Sequence, residues 1–399
     1  MTAMPPTPDA DVATPTHRNA QRNAHRDTPL PGDGPVGLDV ELVRGVDAVA
    51  EVMTQWRSLD AEHPTPFITA SFDWNQTWLT HYRDVVEPGV AVGRVDDEIV
   101  GLWLVPRSAH RSRGPIPLRT VHLGTAGEPE SDSLFVEHNT PWVHGVRPCE
   151  FLHAVWPQLL AEPVDRVDAD GLSSDLLTRC RPLWAESDAV TIERRPSPWM
   201  RFDTPAGDMM QQVRRKTRSN FRRAMKRYDS PTTTWLTGPP AMEDFDTLVR
   251  LHQARWVGTD EPGAFGGTRL QSFLGDLVEI GRAAVVLCRD GDDPIGTALI
   301  VENAGRAVVL VVGFADTSTH ESPGIVSLVP IMQAAWNRGL EGFEFLVGEN
   351  LYKRMLSNEA VELAWVKQTR PTVRSRLTDG LLRMKHAVRG GPPSPPPAS

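Results

Sequence analysis

Cysteine is scarce in this 399-residue sequence: Cys149, Cys180 and Cys288 lie far apart and are odd in number. That excludes a disulfide framework and a cysteine-rich zinc site, and it fits a reducing compartment. No apolar run reaches the 18 or more residues of a membrane span, and the first 37 residues hold no apolar stretch that could act as a secretory signal. The expectation is a soluble, cytoplasmic chain. Positive charge is in deficit, 42 Lys and Arg against 51 Asp and Glu for a formal charge of −9, which counts against broad nonspecific nucleic-acid binding. No motif suggests a metal, a flavin or a nucleotide P-loop. What is present is a 40% hydrophobic fraction with 12 Trp and 12 Phe, enough for packed cores, in a length that suggests two or three domains.

Seven of the 35 prolines fall in residues 1–37 and five more in the last eight positions. Neither end has an apolar period, so residues 1–37 and 390–399 read as disordered tails that cannot bury enough surface to offset their ordering entropy. Between them the pattern of periods repeats. From Leu38 two amphipathic helices, a Val90–Val95 and Ile99–Val105 hairpin across Asp96-Asp97-Glu98, a third strand at Leu118–Leu123, then helix, strand, helix and strand give the order ααβββαβαβ. From about Thr232 the same order returns, ending with strand Phe343–Val347, helix Leu351–Leu356 and strand Val361–Val366. Two mixed α/β lobes are expected, at 38–203 and 232–370, with a basic linker helix at 204–231 and a terminal helix at 371–389.

The linker carries eight Lys or Arg between Arg214 and Arg227 and no acid among them. Arg214, Arg218 and Arg222 share a helical face opposite a narrow apolar stripe, and like charges at this spacing repel. A counter-anion is attractive there: a phosphate of a coenzyme or substrate, an RNA backbone, or acidic side chains of the neighbouring lobe. After the apolar strand Arg306–Asp316, residues Ser322, Pro323, Gly324, Ile325 and Val326 start a helix whose free N–H groups suit a pyrophosphate. His252 lies on the apolar stripe of helix Phe245–Trp256, as a core residue or a base, with Arg255 one step round. Tyr352 and Lys353 follow strand Phe343–Val347 at its carboxyl end, where open α/β sheets bind ligands. A phenol can donate to a leaving thiolate, and an ammonium can stabilise an oxyanion or hold a phosphate. Glu302 and Asp316 are possible bases, or solvated carboxylates at strand ends.

The order of elements resembles the GNAT (Gcn5-related N-acetyltransferase) fold. The strings Lys216-Thr217-Arg218-Ser219-Asn220-Phe221-Arg222-Arg223-Ala224, Leu251-His252-Gln253-Ala254-Arg255-Trp256, Ser322-Pro323-Gly324, Phe343-Glu344-Phe345-Leu346-Val347-Gly348 and Tyr352-Lys353 look like the CelD/BcsL (BioF2-like) branch. Its members are tandem-GNAT acyltransferases related to the FemABX peptidyltransferases. The resemblance covers roughly residues 56–365. It implies tandem GNAT-like lobes, each a mixed, mostly antiparallel sheet flanked by helices. It also implies transfer of an acyl group, acetyl in the simplest case, to an amine or hydroxyl of a small-molecule or saccharide acceptor. Acyl-CoA would be a cosubstrate and no cofactor would be resident. The resemblance suggests Lys353, Tyr352 and His252 for catalysis, Ser322 to Val326 for the coenzyme, and Arg218, Arg222, Arg255, Trp256 and Gly348 for substrate. The sequence departs from the usual glycine-rich pyrophosphate loop, having His320-Glu321-Ser322-Pro323-Gly324 instead. An aminoacyl-tRNA donor, as in the Fem relatives, and a noncatalytic binding protein are the competing readings. The first lobe lacks a Tyr352-Lys353 counterpart and is expected to be a degenerate copy.

Overall fold

Asp96 and Asp97, both at positive φ, close the hairpin expected from the sequence, because a two-residue turn that matches strand twist needs that backbone at both positions. The computed structural model describes residues 37–110, 116–134, 136–184, 189–202, 209–229, 231–257, 263–318, 320, 322–348 and 350–388. The two expected tails, apart from Gly37, lie outside them.

The first half comprises β1 (Asp39–Arg44), α1 (Val46–Glu62), α2 (Phe72–Tyr82), β2 (Gly89–Val95), β3 (Glu98–Leu104), β4 (Arg107–Ser108), β5 (Thr120–Leu123), β6 (Trp142–Val143), α3 (Pro148–Ala161), β7 (Arg166–Ser173), α4 (Ser174–Arg179) and β8 (Val190–Arg201). The second comprises α5 (Arg215–Met225), β9 (Pro231–Thr237), α6 (Met242–Ala254), α7 (Thr268–Glu279), β10 (Ala284–Asp290), β11 (Asp293–Asn303), β12 (Arg306–Phe314), α8 (Pro323–Asn337), β13 (Gly342–Glu344), α9 (Leu351–Leu356), β14 (Glu359–Thr369) and α10 (Val373–Val388). Apart from the two-residue β4 and β6 of the first half, the repeated order holds in both halves, each preceded by a strand that local periodicity does not reveal. Both extra strands, β1 and β9, are sheet edges with alternating exposed residues and few apolar side chains.

The strands form a sheet ordered β1-β2-β3-β6 and a ten-stranded sheet ordered β4-β5-β7-β14-β8-β13-β12-β11-β10-β9. In the larger sheet β14, from the end of the chain, lies between β7 and β8, and β8 lies between β14 and β13. Each half thus lends its last strand to the other, and the sheet runs unbroken across the expected boundary at residues 204–231. The halves also share a core. Trp74 and Tyr82 of α2 pack edge-on against Phe273 of α7, and Val90, Leu102, Val285, Leu299 and Val311 bury beneath them. His81 with Asp276, Arg269 with Asp84 and Arg282 with Asp73 pair across the rim of that contact.

Candidate active site

β12 and β13 pair in parallel at only three positions, Arg306–Val308 with Gly342–Glu344. β12 then continues to Phe314 while the other chain turns away through Leu346 at φ 59 and Gly348 at φ 128, so the two strands splay. Phe314 and Phe345 flank the opening, and Tyr352 packs edge-on to both at 6.1 and 6.0 Å. Lys353, 8% exposed, holds the bend: its Nζ donates to Leu346 O at 3.0 Å and Val347 O at 2.8 Å. Burial lowers the Lys353 pKa, against the pull of the nearby Glu137 carboxylate. A Cβ on Gly348 would lie 3.2 Å from Nζ, so the glycine serves both the backbone angle and the lysine.

The equivalent opening in the first half is filled. There β5 and β7 pair in parallel over Thr120–Leu123 and Arg166–Ala169, and Asn139 occupies the space beyond. Its Nδ2 donates to Leu123 O at 2.8 Å and Asp170 O at 3.0 Å, and its Oδ1 accepts from the Trp103 indole. Gly124 and Gly171, both at positive φ, make room: a Cβ on either would sit 2.3 Å from Asn139 Oδ1 or Val136 O, respectively. Among the described residues, the space beyond β5 and β7 is taken by this side chain.

The segment that fills the first gap reaches the second. Glu137 accepts the Val347 N–H at 3.0 and 3.2 Å, and His138 Nε2 lies 2.5 Å from Glu344 Oε1. Glu344 is fully buried; Ser197 Oγ donates to it at 2.7 Å and Arg306 Nη1 at 3.2 Å. Burial pushes the Glu344 pKa up, but His138, Ser197 and Arg306 outweigh it and hold the carboxyl below its ordinary range. Glu137 goes the other way. Burial raises it to about 7, because the Val347 amide, His138 and Lys353 compensate only in part. The folded protein therefore holds a proton that the unfolded chain has released between pH 4.5 and 7, and stability falls as pH rises through that window. A shift of this size corresponds to about 3 kcal/mol at most. Urea titrations at pH 5 and pH 8 should show Glu137→Gln gaining stability over the wild type at pH 8 and little at pH 5.

Tyr352, Lys353 and Gly348 are brought together at the opening; burial raises the Tyr352 pKa, and the Asn350 side chain and the charge of Arg255 offset only part of that. His252 does not join them as a base. Its Nδ1 lies 2.8 Å from Val312 O, and Nε2 accepts from the Trp256 indole at 3.1 Å and the Ala264 amide at 3.0 Å. Both ring nitrogens are engaged and burial lowers its pKa, so His252 is a neutral pin between α6 and β12. Trp256 belongs to that packing, its ring closing on Gly263. Arg255 is exposed, its guanidinium 5.8 Å from the Trp256 ring centre. The set of coenzyme amides also contracts. Pro323 has no N–H, and the amides of Ile325 and Val326 both donate to Ser322 O, leaving those of Ser322 and Gly324 at the start of α8. Glu302 pairs with Arg338 at 3.4 Å, and Asp316 accepts from the Ser318 amide in its own loop, so neither faces the opening as a base.

α5, with the turn that follows it, packs Ala224 and Tyr228 against Val326 and Ile325 in the first turn of α8. Its outer face forms a concave surface lined by Arg215, Arg218, Ser219, Arg222, Arg223 and Lys226. Arg218 donates to Gln211 O at 3.1 Å, tying down the approach to the helix. Arg222 is exposed on that surface.

Residues 215–354, from the start of α5 to α9, match the family model described as Acetyltransferase (GNAT) domain. That match lies wholly in the second half. Among solved structures, FemX is similar at 12% identity over 86% of this chain and 99% of that one, with a TM-score of 0.53. A conserved protein of unknown function from Bacteroides thetaiotaomicron is similar at 12% identity over 83% and 100%, with a TM-score of 0.51. A tandem GNAT protein from the clavulanic acid biosynthesis pathway is similar at 12% identity over 84% and 100%, with a TM-score of 0.42. At these identities the likeness is one of fold. No curated protein matches the sequence. The fold is that of tandem GNAT-like lobes, with the matched segment carrying the splayed β12 and β13 and Asn139 filling the equivalent place in the first lobe.

Sequence reasoning missed Glu137, His138 and Glu137's partner strand end. One local signal was present: an acid between two aromatics in the apolar string Phe343-Glu344-Phe345 must find buried partners if that string is a strand.

Proposed function

We propose that the GNAT domain transfers an acyl group, acetyl in the simplest case, from acyl-CoA to an amine or hydroxyl of a small-molecule or saccharide acceptor, as an enzyme of the CelD/BcsL type acting in the cytoplasm. The observation that carries this reading is the splay of β12 from β13 beside the start of α8. An extended thioester arm fits between splayed strands, where main-chain groups can hold it. Its pyrophosphate falls to the Ser322 and Gly324 amides, and its remaining phosphate to the basic surface of α5 with Arg218 and Arg222. In this reading Tyr352 protonates the leaving sulfur, while Lys353 keeps the bend at Leu346 and Val347 in shape. Attack by a bound acceptor needs proximity and a proton acceptor and no covalent enzyme intermediate. Three free cysteines support a reducing compartment; burial pushes the Cys180 and Cys288 thiols up to about 12 and about 11, away from reactivity. Among the described residues, no helix is long and apolar enough to cross a membrane.

Calorimetry with coenzyme A and acetyl-CoA tests the donor. Micromolar binding is expected, weakened about tenfold by Arg222→Ala and less sensitive to salt in that variant, as loss of a phosphate contact requires. Absence of binding to either compound rules the reading out. The same cations could receive RNA phosphates, the donor chemistry of an aminoacyl-tRNA-dependent transferase. Tight tRNA binding that collapses with salt, together with no coenzyme A binding, would decide for that alternative.

A further inference from the structure

α10 has its polarity reversed for a helix packed on a domain. Its buried side is hydroxylic: Ser375 donates to Arg370 O at 2.5 Å, and Thr378 Oγ1 bonds Arg374 O at 2.9 Å and lies 3.4 Å from Ile116 O. Just before the helix, Thr372 donates to Asp165 at 2.7 Å and accepts the Ser375 amide at 3.2 Å, which fixes that side inward. Its outer side is apolar. Val373, Leu377 and Leu381 are 75%, 53% and 38% exposed, and at a spacing of four they form one row along the helix. The other exposed large apolar side chains among the described residues, Val46, Val257, Ile280 and Leu351, are scattered singly. At about 100° per residue, Arg374 falls on one side of the row and Arg376 on the other, both exposed. Arg374 keeps one bond, to Pro117 O at 3.3 Å, and among the described residues neither arginine pairs with a carboxylate. The sequence carries the apolar period on to Met384 and Val388, and residues 373–388 hold four Lys or Arg against one Asp, a local charge of +3 in a chain of −9.

We propose that α10 is a membrane-surface helix: it lies flat on an anionic lipid bilayer, with Val373, Leu377 and Leu381 at the acyl boundary and Arg374 and Arg376 at the headgroup phosphates. Charge selects this occupant. A second copy pairing through the same row about a two-fold axis would bring each cationic rim against its like. The end of the chain cannot cover the row either, because residues 389–399 hold no large apolar side chain. Anionic headgroups complement both rims at once. The net charge of −9 acts only weakly against this, since at physiological salt charges beyond about 8 Å are largely screened and the helix's own cations set the local field. Attachment through one short helix is reversible, and α10 is not apolar enough to cross the bilayer. This role is separate from acyl transfer.

The test floats the full chain with two kinds of vesicle, phosphatidylcholine alone and equal parts phosphatidylcholine and phosphatidylglycerol. The wild type should bind the anionic vesicles about tenfold or more tightly than the neutral ones, and most of that preference should vanish between about 0.1 and 0.5 M salt as the screening length shortens. Leu377→Ser, at an exposed position, should keep the wild-type melting temperature and weaken binding about tenfold, as loss of one leucine from the acyl boundary requires. Arg376→Glu should weaken binding to the anionic vesicles about tenfold and leave binding to the neutral ones unchanged. Binding to neither vesicle, or equally to both, overturns the proposal. Anionic binding by Leu377→Ser within twofold of wild type assigns the lipid contact to the basic surface of α5 and overturns it as well. So does a wild-type dimer in sedimentation velocity that Leu377→Ser dissociates, with no vesicle binding, because the row then belongs to a second copy.

Discussion

Replacing Glu344 with alanine is expected to cost about 3–5 kcal/mol of folding stability in a urea titration, the range for removing one member of a buried charged cluster. Glu344 has no exposed surface and joins three parts of the chain: His138 of the first lobe, Ser197 of β8, and Arg306 of β12. Without it the His138 ring and the Ser197 hydroxyl lose their buried acceptor. Arg306 keeps only its contact above the Trp199 ring, 4.2 Å from guanidinium carbon to ring centre. Glu344→Gln retains an acceptor and should cost about 1–3 kcal/mol, the range for a weakened buried hydrogen bond. Because the folded-state pKa lies below the ordinary 4.5, the contribution is complete above that pH and is lost as pH falls through the folded value. A loss under about 1 kcal/mol for the alanine variant would show that the cluster does not join the lobes energetically.

Lys353→Met should lower acyl transfer at pH 7 by about 100-fold while leaving a folded protein, a change of about 3 kcal/mol in the barrier. Methionine keeps the apolar stem and removes the ammonium that bonds Leu346 O and Val347 O. Two effects follow. The bend at Leu346, already at positive φ, loses the donors that hold it, and the end of the opening relaxes. Glu137 loses its nearby cation, so its pKa rises further above 7 and less carboxylate is present at neutral pH. Activity within fivefold of wild type at pH 7 would remove Lys353 from the site. Near-ultraviolet circular dichroism checks that the variant keeps its packing.

Much of the fold was legible because it depends on short-range pattern. Continuous apolar runs such as Ala284–Asp290 and Arg306–Phe314, and the turn at Asp96-Asp97, announce themselves locally. The edge strands β1 and β9 did not, since a strand with one neighbour and mixed polar residues has little local signature. In the candidate site, Lys353, Tyr352 and Gly348 follow from a strand ending in a small helix, and they do meet at the splayed strands. His252 was placed correctly on the inner face of α6. Its engagement by Val312 O, Trp256 and Ala264 depends on residues far along the chain or in a following turn, so its chemistry could not be read from its helix.

The sequence by itself determined the repeated element order, the basic face of α5, and the string of small residues that opens α8, because each is a matter of spacing within a few turns. Only the tertiary structure decided that each lobe gives its last strand to the other, that Asn139 fills the gap of the first lobe, and that Glu137 crosses to the bend beyond β13 in the second. Those outcomes arise from contacts between segments some 200 residues apart, such as Glu137 with Val347. The burial that raises Glu137 toward neutrality exists only once both lobes have closed around it.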